Sequence, residues 1–465
     1  MDFFRIQGGR RLSGRVTVEG AKNAALPLMA ASLLTTGRLK LTNVGPLADI
    51  RNLSHLLDHL GVRSKFGDDN TISMQTVDEE CVHAPYDIVK TMRASICVLG
   101  PMLARRKKAV VSMPGGCAFG TRPIDLHLKG LAKLGARIEM DGGNITATAD
   151  RLRGATIFLG GANGSTVLGT ANVLSAATLA EGRTVIESAA CEPEIVDLAN
   201  MLNRMGARIR GAGGPRITID GVEELGGCEH SVMPDRIVAG TYAMAAAMTN
   251  GDIVLDDFPY DSLLAAINHL DEIGVHVSKL NPNDDDFRCS VRVESDRVLK
   301  PTIITTQPHP GFPTDLQAQF MALLSSAEGN SIITEKIYPE RFLHVAELSR
   351  MGAQLYRQGN TVVVSGVRQL RGAPVMASDL RASACLVLAG LAAQGETEVS
   401  RVYHLDRGYN RMEETLRALG ASIERCKESK VEQSEESIPS IIPSVRGAGL
   451  TARAAQDPQK LAAES

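Results

Sequence analysis

Residues 56–65, LLDHLGVRSK, form a phrase that the chain repeats. It returns as GLAKLGARIE around Gly135, MLNRMGARIR around Gly206, HLDEIGVHVS around Gly274, ELSRMGAQLY around Gly352 and TLRALGASIE around Gly420. Counted from Gly61, the glycines are spaced by 74, 71, 68, 78 and 68 residues. In each copy an amphipathic run stops at the glycine and a short alternation of apolar and polar residues follows. Glycine fits just past a helix end, where the backbone often turns left-handed, so each copy predicts a helix and then a strand. A second phrase precedes most copies by 23 to 25 residues, as a small-residue helix, a glycine and a strand. It reads LLTTGRLKLTNV, TLAEGRTVIESA, AMTNGDIVLDDF, SSAEGNSIITEK and LAAQGETEVSRV; the remaining copy, ARRKKAVVSMPG, has a basic turn in place of the glycine. The chain is therefore read as an α/β protein of six helix–strand–helix–strand units, each about 70 residues long.

Six units exceed what one compact domain of this size normally holds, and they divide three and three near VMPDRIVAGTY, residues 232–242. The strand-like start FFRIQGG is expected to pair with the second half. That gives one domain over 22–233 and a second over 1–21 and 234–427. From Glu428 onward the chain is rich in Ser, Glu and Pro and lacks the repeat, so 428–465 reads as a disordered tail.

Composition narrows the function classes. The 465 residues are 44% hydrophobic and 22% charged, typical of a soluble protein, and with no Trp and 4% aromatics the cores must be aliphatic. A net charge of −3 argues against general nucleic-acid binding. No apolar run reaches the ~18 residues of a membrane span, and MDFFRIQGGR lacks the pattern of a secretory signal. The eight cysteines are scattered, without a CxxC pair or zinc spacing, as expected for free thiols in a reducing cytoplasm. Cys97 and Cys385 have apolar neighbours and read as core. Cys117 stands instead in PGGCAFGTRP, among three glycines and five residues before Arg122. A thiol in a glycine loop near a fixed cation is exposed and partly ionised, hence reactive; the competing reading is a turn that carries a small apolar residue.

Other charged residues cluster where helices are expected to begin. Lys22 and Asn23 lie in EGAKNAALPLMAASLL, Arg93 in TMRASICVLG, and Arg122 and Pro123 in GTRPIDLHLKG with Asp125 and His127 behind them. Asp379 and Arg381 lie in ASDLRASACLVLAG; Asp406, Arg407 and Arg411 lie in YHLDRGYNRMEETL. In PHPGFPTDLQAQFMALL, Thr314 or Asp315 is placed to cap a helix, and a carboxylate on such a stiff turn also suits a general base. Capping is likewise the competing reading for Asp379 and Asp406. Cations at helix starts are unfavourable by ~0.3–1 kcal/mol each unless an anion is bound. Lys22, Arg93, Arg122, Arg381 and Arg407 together point to one polyanionic ligand in a cleft between the halves.

These segments carry a resemblance. GAKNAALP, APYDIVKTMRAS, PGGCAFGTRPIDLH, ATLAEG, EPEIVDLAN, PDRI, PHPGFPTDLQAQF, SDLRASA and HLDRGY make the chain similar, from FRIQGG to about Arg425, to the bacterial UDP-N-acetylglucosamine enolpyruvyl transferases of the EPSP synthase family. The resemblance implies two inside-out α/β barrel domains, each of three repeated units, with the active site in the cleft between them. It implies transfer of enolpyruvate from phosphoenolpyruvate to the 3-hydroxyl of UDP-N-acetylglucosamine, the first committed step toward peptidoglycan, in the cytoplasm. Lys22, Asn23, Arg122 and Arg407 would hold phosphoenolpyruvate, Cys117 would protonate its methylene carbon, and Asp315 would take the sugar's hydroxyl proton. Arg93, Arg122, Pro123, Ile124, Asp125, Leu126, Gly164, Ser165, Thr166, Val167, Asp315 and Ile337 would contact the UDP-sugar. The resemblance also implies inactivation by fosfomycin through Cys117. The chemistry calls for no metal and the sequence has no metal-ligand spacing, so the expected partners are these two substrates, without cofactor, nucleic acid or membrane; no motif sets an oligomeric state.

The chain departs from the family pattern in places. Gly164 stands where a lysine is frequent, Cys191 where arginine is common, and Pro339 and Glu340 differ in YPER. Two alternatives are weighed: transfer to shikimate 3-phosphate, whose enzymes do not use the PGGC cysteine, and a non-catalytic UDP-sugar-binding regulator, against which Lys22, Cys117, Asp315 and Arg407 all speak.

Overall fold

The computed structural model describes residues 2–114, 124–296 and 298–427. The repeated phrase folds as its glycines require. Helices Ala48–His59, Asp125–Lys133, Pro193–Arg204, Leu264–Ile273, His344–Arg350 and Met412–Ala418 each end at or just before the phrase glycine. Gly61, Gly135, Gly206, Gly274, Gly352 and Gly420 all have positive φ, from 81° to 108°. A side chain in that conformation is strained, which explains the invariance of this one position within a varied phrase. In the unit that lacks the second phrase's glycine, Lys107 itself adopts a φ of 61°.

The small-residue helices of the second phrase are Lys22–Ala30, Leu99–Arg106, Val167–Ala177, Arg236–Met248, Gln317–Leu324 and Leu380–Ala392. Apart from Leu99–Arg106, whose last turn carries the half-buried Arg105 and Arg106, they are apolar almost all round and accordingly lie inside; residues 381–391 are buried without interruption. In the second half, Arg236–Met248, Gln317–Leu324 and Leu380–Ala392 pack against one another. Small side chains let such helices approach closely, while the amphipathic helices turn their polar faces to solvent.

Each unit contains more strand than the repeat phrase predicts. There are six four-stranded sheets among the described residues, all with one pattern: a parallel pair, then two antiparallel pairings. The extra parallel strand comes from the preceding unit. Thus His83–Ala84 pairs with Lys108–Ser112, and Thr156–Phe158 with Arg183–Glu187. The third such strand of the first half, Cys228–Ser231, returns to Leu39–Thr42 of that half's first unit and closes a ring of three sheets. In the second half the N-terminus does this work. Asp2–Gln7 lies between Glu396–Ser400 and Ser422–Lys427, and Ser13–Thr17 pairs in parallel with Asp252–Phe258. Buried apolar side chains form two separate clusters, one drawn from Ala21 to Val232, the other from Phe4 to Val18 and Ile237 to Ile423. The fold is therefore two inside-out α/β barrels, each built on three repeated units with helices inside and sheets outside.

The chain crosses between the two rings twice, side by side. Gly20 and Pro234 form an antiparallel bridge, Ala21 N–H donates to Met233 O at 2.7 Å, and Asp235 N–H to Glu19 O at 2.7 Å.

Candidate active site

Asp49 joins cations from both halves. Lys22, the first residue of Lys22–Ala30, donates through Nζ to Asp49 Oδ2 at 3.1 Å. Arg407 donates through Nε to Asp49 Oδ1 at 3.0 Å and through Nη2 to Oδ2 at 3.4 Å. Asp49 is buried, which pushes its pKa up, but attraction to Lys22 and Arg407 outweighs burial and leaves it lowered. Arg407 departs from expectation: it ends the 3-10 segment Val402–Arg407 instead of starting a helix, and the nearby helix begins at Met412, after Arg411. Lys22, Arg93 and Arg381 do lie in the first turns of their helices. Asn23, the second residue of its helix, is half-buried beside Lys22.

Asp315 does not cap a helix. The turn Thr314–Leu316 and helix Gln317–Leu324 have no side-chain cap. Asp315 accepts from Arg341 Nη1 at 2.7 Å and from Arg381 Nη2 at 2.9 Å, and both guanidiniums are buried. Burial pushes the Asp315 pKa up, yet Arg381 and Arg341 hold it well below the usual carboxylate range. Arg381 also reaches Tyr409 Oη at 3.4 Å, and Thr241 and Gln319 extend that contact into the buried helices. Asp379 is a cap, accepting from Arg381 N–H and Ala382 N–H at 2.8 and 3.1 Å. Asp406 is not; it pairs with Arg425.

The segments expected to touch the UDP-sugar come together in part. Ile124 is buried, Asp125 opens Asp125–Lys133, and Leu126 lies against Gly161 of the hairpin formed by Gly160–Gly161 and Gly164–Ser165. Thr166 caps Val167–Ala177, its side chain accepting from Gly169 N–H at 3.2 Å, and Val167 is the first residue of that helix. Arg93 stands near enough to His127 to depress its pKa together with burial, the larger effect, to about 3. Asn172 Nδ2 donates to Ile96 O and to His127 Nδ1, which assigns the His127 proton to Nε2. The amide N–H of Ile337 donates to Glu335 at 2.8 Å. Cys117, Arg122 and Pro123 lie outside the described residues.

The Pro308–Pro310 turn of the second half meets the first half here. Gly164 has a φ of 98°, and a Cβ built on it would stand 2.6 Å from Cγ of Pro308. His309 N–H donates to Glu192 Oε1 at 3.4 Å, and Arg236 grips Glu194 through two bonds of 3.0 and 3.3 Å. Burial raises the pKa of Glu192, whose Oε2 has no hydrogen-bond partner among the described residues. Sequence reasoning missed Asp49, Glu335 and the Glu194–Arg236 pair. EPEIVDLAN and PDRI gave only a resemblance, and Asp49 and Glu335 look locally like a first-turn acid and a strand-end acid.

The cysteines follow their surroundings: Cys81, Cys97, Cys191, Cys228, Cys289, Cys385 and Cys426 are all free, and burial pushes the Cys97 thiol up to about 12 and Cys385 higher than its ordinary value. Among the described residues no helix is long and apolar enough to cross a membrane.

Comparison with known proteins places this arrangement among relatives. The model of the EPSP synthase (3-phosphoshikimate 1-carboxyvinyltransferase) family matches residues 6–416. A UDP-N-acetylglucosamine 1-carboxyvinyltransferase from Gluconobacter oxydans (strain 621H) is 53% identical over 429 residues, covering 92% of this chain and 100% of that protein. One from Geotalea uraniireducens (strain Rf4) is 51% identical over 428 residues, with the same coverage. Among solved structures, the enolpyruvyl transferase NikO from Streptomyces tendae superposes with a TM-score of 0.81 at 24% identity, over 91% of this chain and 98% of that one. EPSP synthase from Acinetobacter baumannii gives 0.71 at 19% identity, over 92% and 100%. At these identities the structural likeness bears on the fold alone.

Proposed function

The chain belongs to the UDP-N-acetylglucosamine 1-carboxyvinyltransferase family, within the broader EPSP synthase family, and from that membership we propose how its own residues carry the transfer of enolpyruvate from phosphoenolpyruvate to the 3-hydroxyl of UDP-N-acetylglucosamine. The observation that carries the proposal is the meeting of Lys22 and Arg407, one from each half, on the single carboxylate of Asp49. Two cations against one anion leave positive charge in the cleft, and phosphoenolpyruvate brings two anionic groups on three carbons. With Asn23 and Arg122, they hold it. Residues 22–233 and 1–21 with 234–427 then act as two domains around the substrate, a division supported by the two separate cores.

The sugar hydroxyl adds to C2 of phosphoenolpyruvate while Cys117 donates a proton to C3, turning the methylene into a methyl group. Asp315 takes the hydroxyl proton. Because Arg341 and Arg381 hold its pKa low, Asp315 is a poor proton store. It orients the hydroxyl and accepts the proton only as the C–O bond forms, when that proton has become strongly acidic. The Cys117 thiolate then takes a proton back from the methyl group of the tetrahedral intermediate, the C–O bond to phosphate breaks, the double bond returns and phosphate leaves. Lys22 and Arg407 stabilise the charge that gathers on the departing phosphate. Arg93, Ile124–Leu126, 164–167 and Ile337 grip the nucleotide sugar. We place this step at the entry to peptidoglycan synthesis in the cytoplasm, in keeping with the scattered free cysteines.

The test is phosphate release from phosphoenolpyruvate with each acceptor. Release with UDP-N-acetylglucosamine and none with shikimate 3-phosphate is expected. The reverse preference would reassign the acceptor, and no release with either would favour a regulator.

A further inference from the structure

Glu335, at the end of strand Asn330–Thr334, is completely buried and its carboxylate accepts four hydrogen bonds. Oε1 receives Thr306 Oγ1 at 2.7 Å, Ile337 N–H at 2.8 Å and Tyr338 N–H at 2.9 Å. Oε2 receives Thr314 Oγ1 at 2.9 Å. The Thr314 hydroxyl in turn accepts from Arg341 Nη1 at 3.0 Å, the same nitrogen that donates to Asp315 at 2.7 Å. The turn is closed again where Arg341 N–H donates to Tyr338 O at 2.8 Å. One carboxylate thus fixes the turn that carries Ile337 and Arg341, and through Thr314 the segment that carries Asp315.

We propose that Glu335 is a positioning residue for the transfer, holding Ile337 against the nucleotide sugar with one oxygen and the Arg341–Asp315 pair against the reacting hydroxyl with the other. The proposal rests on the roles given above to Asp315 and Ile337. A carboxylate that only capped its turn would need the two backbone N–H groups and nothing more. The Oε2 arm runs the other way, to a side chain on a different element. Its direction follows from the chemistry: a guanidinium only donates, so the single Thr314 hydroxyl proton is left for the carboxylate oxygen Oε2, which accepts it.

Two variants separate the arms. Thr314→Val leaves the turn cap whole and cuts only the link to Arg341 and Asp315. It is expected to lower kcat about 10-fold with KM for UDP-N-acetylglucosamine within about twofold of the parent, and Thr314→Ser, which keeps the hydroxyl, to recover most of that loss. Glu335→Gln puts an N–H donor at one arm. It should lower kcat at least as far and also raise KM for the nucleotide sugar several-fold, since the Ile337 turn shifts too. Because both act through one relay, the double variant should be no worse than about twofold below Glu335→Gln alone. Parental kcat in Thr314→Val, or losses that multiply in the double variant, would overturn the proposal. If Glu335→Gln does not fold, the Val and Ser comparison at Thr314 decides alone. Absence of turnover in the parent enzyme would instead strike the functional reading on which this role depends.

Discussion

Asp315 shows how far a residue's chemistry depends on what lies far from it in sequence. Read locally, it is either a cap that asparagine could replace without harm or a general base on a stiff turn. In the fold, Arg341 and Arg381 lie 2.7 and 2.9 Å from its oxygens, and both are buried. Asp315→Asn therefore takes the shared negative charge from between two buried guanidiniums, a loss on the order of 3–5 kcal/mol of stability. Since the folded pKa is depressed, the ionised carboxylate stabilises the fold above the ordinary value of roughly 3.9, and that contribution fades as pH falls toward the folded value. Urea titrations should show a large gap between parent and variant at pH 7 that narrows below about pH 4. Turnover at pH 7 should fall ~100-fold or more; a variant that is equally stable and active would show that Asp315 is neither a base nor a needed partner of the two arginines. Gly164 carries the opposite lesson. Placing at 164 the lysine that the family resemblance leads one to expect would put a side chain on a backbone with φ of 98° and a Cβ 2.6 Å from the ring of Pro308. Gly164→Lys should therefore weaken UDP-N-acetylglucosamine binding despite the added positive charge. Calorimetry that finds tighter binding would mean the turn yields more readily than a proline ring allows.

Among the elements, the double crossing at Gly20 and Pro234 turns a connection into a working part. Asp235 Oδ1 caps Arg236–Met248 by accepting Ile237 N–H and Val238 N–H at 2.8 and 3.1 Å, while Oδ2 accepts Lys22 N–H at 3.3 Å. The starts of two helices, one in each half, thus meet on one buried carboxylate. Asparagine caps a helix about as well as aspartate, but its amide nitrogen would face the Lys22 N–H donor to donor. Asp235→Asn should keep its melting temperature within a few degrees and raise KM for phosphoenolpyruvate about 10-fold through a displaced Lys22; an unchanged KM would confine Asp235 to capping. What the sequence made legible follows the same division between local and distant. The phrase around Gly61 and its five copies are local, set by helical spacing and a left-handed glycine, and they could be read directly. Strands such as His83–Ala84 and Cys228–Ser231 are too short to show an alternation, and their partners lie in another unit, so the closing of the first ring was not readable, whereas the strand-like FFRIQGG was expected to join the second half and does. Asp49 lay in the first turn of Ala48–His59, where an acid is ordinary; only its burial between Lys22 and Arg407 marks it. Arg407 was recognised by its neighbours HLDRGY but placed on the wrong element, because a 3-10 segment leaves no periodicity to read.

Across the whole molecule, the two halves meet through charge at several points. Lys22 and Arg407 share Asp49, Glu194 holds Arg236, and Glu192 accepts the His309 N–H. Buried charges that hold two bodies together stabilise the joined state only while each is answered, and one unanswered partner drives the bodies apart. Asp49 is the contact where a substrate can take over that task, because the groups it answers are those assigned to phosphoenolpyruvate. In Asp49→Asn the amide can accept from one cation but presents a donor to the other, so Lys22 and Arg407 are left with a net repulsion across the crossing. Without ligand the variant should then be more expanded than the parent. Phosphoenolpyruvate supplied with UDP-N-acetylglucosamine brings anionic groups to the same two cations and should return it to the parental size. Small-angle scattering reads this as a radius of gyration that is larger in the variant alone and equal in the two proteins with both ligands. A variant as compact as the parent without ligand would show that Asp49 contributes nothing to joining the halves. One that stayed expanded at saturating substrate would show that phosphoenolpyruvate does not bind between Lys22 and Arg407, and the placement of the reaction in the cleft would fall with it.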